Sequence, residues 1–158
     1  MPAEYLAINQ TVPAGGTVLF QQAPAPCKAG LIYHREGSGL FRLAGPTALG
    51  VCCRRPCCCR DFPEARYQVA FHGNIAVPGD PAGTVEEITL ALAVDGEVEP
   101  IDMRFTPAAV DEYGNVGTDI IVDVPCVCRC STVAVRNTST QPINVEGTLV
   151  FDFDGVVR

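Results

Sequence analysis

The sequence predicts an all-β chain folded as an antiparallel sandwich of about ten short strands, and three observations carry that expectation. Short stretches rich in Val, Ile, Phe and Thr recur along the whole chain, separated by turn residues. Prolines at 13, 24, 26, 46, 56, 63, 78, 81, 100, 107, 125 and 142 would interrupt almost any helix of ordinary length. Apolar and polar residues alternate clearly in two places: Tyr67, Val69 and Phe71 against Gln68, Ala70 and His72, and Leu149, Phe151 and Phe153 against Val150, Asp152 and Asp154. A strand with that pattern has one buried face.

In chain order the expected strands are Thr17 to Phe20, Leu31 to His34, Leu40 to Leu43, Arg66 to Val77, Glu87 to Val94, Ile101 to Phe105, Thr118 to Val124, Thr132 to Asn137, Ile143 to Val145 and Thr148 to Phe153. Asp95-Gly96 follows ITLALAV and marks a hairpin, because this pair supplies the positive φ angles of a tight turn. The segment after it is therefore expected beside the strand before it. Pro107 to Tyr113 is the one stretch that could form a single helical turn. Met1 to Ala14 carries few charges and two prolines and reads as an extended arm lying on a neighbour or as an edge strand. The expected division is 1–14 as this segment and 15–158 as a single domain.

Composition bounds the function. With 158 residues, 47% hydrophobic and 18% charged, the chain can bury a sizeable core as one domain and is too apolar for disorder. A net charge of -7, with Lys28 the only lysine, argues against nucleic acid, whose phosphates call for an excess of basic residues. There is no run of about 18 apolar residues, so no helix is expected to span a membrane. Met1 to Gln10 lacks the basic start and apolar stretch of a signal peptide, which points to synthesis in the cytoplasm with cysteines initially reduced.

The nine cysteines are the unusual constellation. Cys52, Cys53, Cys57, Cys58 and Cys59 lie in VCCRRPCCCR, Cys126, Cys128 and Cys130 in CVCRC, and Cys27 stands alone in APAPCK. If strands run alternately up and down, the strand starting at Arg66 begins at the pole where the segment ending at Val124 finishes, so the two clusters should share one pole. Disulfides within or between subunits are one reading. Zinc or copper(I) held by thiolates is a second, although the usual Cys-x-x-Cys spacing is missing. Inert thiols are a third. Arg54, Arg55, Arg60 and Arg129 should favour thiolate by their positive charge. Cys27 is expected to be a free thiol or an intersubunit partner, and no resident cofactor is expected beyond that zinc or copper alternative.

Little else suggests chemistry. His34 alternates with Glu36, as a surface pair or as half of a metal site, and His72 reads as solvent-facing or structural. No nucleophile elbow, phosphate-binding glycine loop or zinc-protease helix occurs, so no enzyme is expected. FDFDG at 151–155 lacks the ligand spacing of a calcium loop. Asn137-Thr-Ser139 and Asn9-Gln-Thr11 match glycosylation acceptors that stay silent without secretion. Loops that bind sugars would need clustered aromatics, whereas Tyr113 is isolated in DEYGN and Trp is absent.

The order VPAGGTVLF, ARYQVAFHGNIAV, ITLALAVDGE, STVAVRNTS and GTLVFDF resembles the trimeric jelly rolls of the tumour-necrosis-factor and complement type, in particular bacterial spore-surface proteins and structural proteins of Firmicutes phages. That resemblance covers roughly residues 12–153. It implies a homotrimeric jelly roll with a structural role on the outside of a particle: a phage virion decoration or fibre-type capsid protein, or a spore-surface layer or appendage; the cysteines, which are not part of that family's pattern, would add cross-links that stabilise it. A thiolate metal-binding protein is the further alternative. The partners implied are the chain itself and other capsid or surface-layer proteins. Phe151, Phe153, Tyr67 and Phe71 are candidates for either the core or the trimer contact.

Overall fold

The computed structural model describes residues 2–27, 31–45, 64–125 and 131–157. These residues form two antiparallel sheets packed face to face. Strands β1 (Ala3–Val12), β2 (Gln22–Ala25), β5 (Glu64–Ala76), β9 (Gly114–Pro125) and β11 (Ile143–Val157) make the first sheet, in the order β2-β1-β11-β5-β9. The second runs β3 (Ile32–His34), β4 (Phe41–Leu43), β10 (Ser131–Asn137), β6 (Ile88–Val94) and β7 (Glu97–Val98), with β8 (Met103–Phe105) also on β6. The chain crosses from one sheet to the other at β2–β3, β4–β5, β5–β6, β8–β9, β9–β10 and β10–β11, as in a jelly roll.

The alternating segments behave as expected. In β5 the inward residues Tyr67, Val69 and Phe71 are buried while Gln68 and His72 are exposed. Phe151 and Leu149 face the same core. Phe20, Phe41, Tyr5 and Phe151 meet there through ring contacts of 4.8–5.9 Å. Tyr67, Phe71 and Phe151 are therefore core residues. Phe153 is 37% exposed and packs its ring 5.3 Å from that of Tyr67 near one pole.

Glycine shapes the middle of the first sheet. Gly73 and Gly147 are register partners, and a Cβ on either would meet the Phe71 ring and a neighbouring backbone oxygen. Because Gly147 stays in the ladder opposite Gly73, the segments expected as two strands, Ile143 to Val145 and Thr148 to Phe153, merge into β11.

The Asp95-Gly96 hairpin forms with φ angles of 53° and 85°, and β7 returns along β6 as expected. β7 and β8 are two pieces of one interrupted strand. Val98 pairs with Ala93 and Met103 with Leu90, so the chain advances by two extra residues between the pieces. Pro100 lies in that interval, where it has no N–H to give to a ladder.

Other elements differ from expectation. Ala3–Val12 is paired between β2 and β11 as β1. Thr17 to Phe20 is not a strand: Thr17 bridges Arg136, Val18 donates to the Val135 carbonyl, and the side chains of Val18 and Phe20 fill the core. Pro107 to Tyr113 is a turn in which the Glu112 carboxylate accepts from the Ala108 N–H at 2.8 Å.

The strand parity also sets where the chain leaves the sheets. Glu64 opens β5 opposite Pro125, which closes β9, and Leu43 of β4 lies opposite Ser131 of β10. The described residues that flank both cysteine segments therefore sit at one pole.

Candidate functional site

The two sides of the sandwich differ. On one side β2 and β3 are the outermost strands, and the sheets part to leave a cleft of about 510 Å³. Its floor is aromatic: Tyr5, Phe20 and His34 line it, with His34 stacked on Phe41 at 4.2 Å and edge-on to Tyr5 at 5.1 Å. Gln21, Gln22, Pro26 and Cys27 form one wall, and Ile32, Tyr33 and Glu36 the other. His34 Nε2 lies 2.8 Å from the Ser38 carbonyl oxygen, which fixes the ring. Burial raises the Tyr5 phenol pKa above its ordinary value, against the lowering effect of a hydrogen bond from the Cys27 backbone. His34 and Glu36, paired by alternation in the sequence, do share this cleft. Gln21, Gln22 and Tyr33 join it only through the meeting of two edge strands, for which no local pattern exists.

On the opposite side β9 is paired only with β5 among the described residues, leaving the outer edge of Gly114–Pro125 without a ladder partner. Phe105 of β8 closes the seam between sheets there, lying where a Cβ on Gly114 would be. Ile121 of β9 is 60% exposed, and Ile101, between β7 and β8 of the second sheet, is 80% exposed.

The outward face of the first sheet is mixed. Register aligns Leu6, Thr148, His72 and Gly117 in one row and Glu4, Val150, Ala70 and Asp119 in another. The exposed His72 imidazole occupies the space that a Gly117 side chain would take. Beside it, Asn115 Nδ2 donates to Asn74 Oδ1 at 3.3 Å, and Asn74 Nδ2 donates to Glu146 Oε1 at 3.2 Å. Arg66 and Asp123 make a bidentate pair across β5 and β9, at 2.8 and 3.0 Å. The hydrogen bonds from Arg66 hold the Asp123 carboxyl below the usual carboxylate range.

The expectation of a subunit locked by cysteines or built to bind metal through thiolates is corrected. Among the described residues there is no disulfide, Cys27 is a half-buried free thiol, and no three of His, Cys, Asp and Glu converge to hold a metal ion. The physical reason is that the sandwich closes on a continuous apolar core, with Phe20, Phe41, Phe71, Leu92 and Phe151 each at most 1% exposed, and needs no staple. Cys52, Cys53, Cys57, Cys58, Cys59, Cys126, Cys128 and Cys130, with Arg54, Arg55, Arg60 and Arg129, lie outside the described residues. Of the acceptor sequences, Asn137 is fully buried, whereas Asn9 is exposed and donates to the Tyr113 hydroxyl at 2.9 Å. Asp152 and Asp154 belong to β11.

No family model and no curated protein sequence matches the chain. Solved structures do. The globular domain of zebrafish complement 1qA protein superposes with a TM-score of 0.64 at 9% identity, covering 99% of this chain and 98% of that one. Murine APRIL superposes with a TM-score of 0.58 at 7% identity, covering 94% and 96%. At such identities the likeness is one of fold. The chain is an antiparallel jelly-roll sandwich, similar in structure to the tumour-necrosis-factor and complement type.

Proposed function

We infer that this protein is a non-enzymatic assembly subunit that works as a homotrimer, with the β9 side of one copy seated on the outward five-stranded face of the next. The observation that carries the reading is a twelve-residue edge strand with no second ladder partner among the described residues, whose Ile121 is 60% exposed, together with Ile101 at 80% between β7 and β8. A long unpaired edge beside exposed apolar side chains invites association unless something covers it. The receiving face offers Leu6, Ile8, Val150 and Ala70 for contact, rimmed by His72, Asn74 and Glu146. Edge on face is a head-to-tail contact, which closes into a ring when the rotation between copies permits and then covers the β9 edge of every copy. The jelly-roll likeness supports three copies.

The test is sedimentation velocity on the chain carrying Ile121→Asp and Ile101→Asp. Both side chains are largely exposed, so the fold should persist by circular dichroism while the assembly falls to monomers. Retained assembly in the double variant would move the interface elsewhere.

A further inference from the structure

We propose that the outward face of the second sheet binds an acidic saccharide, a uronic-acid oligomer whose carboxylates sit on Arg42 and Arg136 and whose ring stacks on Tyr33. Register puts Tyr33, Arg42 and Thr132 in one row across β3, β4 and β10. Their strand neighbours Ile32, Phe41 and Val133 face the core, so this row faces solvent, and Tyr33 is 65% exposed. Arg136 lies on the same side of β10 as Thr132, about 13 Å further along the strand. Between the two arginines, Ala134 and its register partner Ala93 leave a low floor.

The charges on this face select an anion. Arg42 has no hydrogen bond or ion pair among the described residues, and Arg136 gives one N–H to the Gly96 carbonyl at 3.3 Å but meets no carboxylate. The outward positions of β4, β10 and β6 hold no Asp or Glu. Asp95, in the turn beside Thr132, is held on the Thr132 N–H at 2.9 Å, and the β3–β4 turn adds one charge of each sign, Arg35 and Glu36. The outward face of the first sheet is the reverse: Glu4, Asp119, Glu146 and Asp152 stand on it, and Arg66 is spent on Asp123. Asp61 is the only acidic side chain outside the described residues. A guanidinium fork matches a carboxylate in its plane, and the open Tyr33 ring across from Arg42 offers contact to the apolar face of a pyranose. Nucleic acid, which is held through many phosphates, would find two guanidiniums on a chain of net charge -7. In the proposed trimer the acidic face is turned to the neighbour and this one stays outside, although a short oligomer needs only one copy.

The experiment titrates the full chain at low salt with tetragalacturonate, and separately with maltotetraose, tetraglutamate and a short single-stranded DNA, following side-chain resonances by NMR. The expected result is saturable shifts at Tyr33, Arg42 and Arg136, tightest with tetragalacturonate and weakening as NaCl is raised. Arg42→Gln should weaken that binding about threefold at unchanged Tm, and Arg42→Gln with Arg136→Gln about tenfold. Tyr33→Ala should weaken tetragalacturonate and leave tetraglutamate unaffected. No saturable shift with tetragalacturonate, or binding indifferent to Arg42→Gln, would overturn the proposal. Maltotetraose, tetraglutamate or DNA binding as tightly as tetragalacturonate would overturn it too, and would assign the face to neutral sugars, acidic peptides or nucleic acid respectively. Sedimentation of the same sample reports on the assembly reading independently, since the tetramer of sugars is read on a single copy.

Discussion

The side-chain amide of Asn137 donates to the main-chain carbonyl of Val12 at 3.0 Å, tying the end of β10 to the end of β1 across the sandwich. The same nitrogen reaches the carbonyls of Pro13 and Gln141 at 3.1 and 2.9 Å, and Asn137 Oδ1 accepts from the Ser139 N–H at 2.9 Å. No other buried side chain in the described residues gathers so many main-chain groups, because three separate segments converge here without a common ladder.

Removing that amide should be costly. Asn137→Ala leaves buried carbonyls without their donor, and we expect a loss of about 3 kcal/mol. Asn137→Asp should cost at least as much, since a carboxylate would face those carbonyls. Chemical denaturation of both variants checks this; a loss no larger than that of an exposed Asn→Ala change would show the amide to be replaceable by water.

The glycine pair under Phe71 gives a second expectation. Gly73→Ala would drive a methyl group into the Glu146 carbonyl oxygen and the Phe71 ring. Backbone and a core ring cannot both yield, so a destabilisation of about 3 kcal/mol is expected. Gly37→Ala is the comparison: its Cβ would meet nothing, and only its φ of 78° resists the change. Thermal unfolding should rank the first variant well below the second.

At the β6–β7 turn, Gly96 sits at φ 85° and Asp95 at 53°. Asp95 Oδ1 also accepts from the Thr132 N–H at 2.9 Å, joining the turn to β10. Gly96→Val should cost about 1–2 kcal/mol through its strained backbone, with a smaller loss for Asp95→Asn, which tolerates the same φ. Equal losses for the two in urea unfolding would refute this reading of the turn.

The Arg66–Asp123 pair has a defined pH signature. Asp123 titrates below its ordinary value in the folded chain, so its contribution to stability is present above the unfolded carboxylate pKa and is lost as pH falls through the lowered one. The contribution is small, because the two side chains are 36% and 31% exposed. Carboxyl NMR should show the Asp123 midpoint rising in Arg66→Gln. An unchanged midpoint would mean that the pair does not form in solution.

What the sequence revealed follows from what is local. The alternation of Tyr67, Val69 and Phe71 and the Asp95-Gly96 turn are local signals, and the structure has both. β1 was harder to read because two of its inward positions are small, Ala3 and Ala7, whereas Leu6 and Ile8 point outward and invert the usual pattern. β2 has no signal at all: Gln22–Ala25 contains Pro24, has no buried residue, and is a strand only through its pairing with β1. The interior role of Asn137 was hidden in an acceptor sequence, since three main-chain partners come from distant segments or a turn. The cleft was half legible, through His34 and Glu36, and its other wall depends on where β2 is laid down.

In the proposed trimer β9 is covered by a second copy in a closed ring of three. Native mass spectrometry of the intact chain tests it most directly. The expected dominant species has three times the 16.8 kDa chain mass, and a dominant monomer at the same concentration would overturn the trimer.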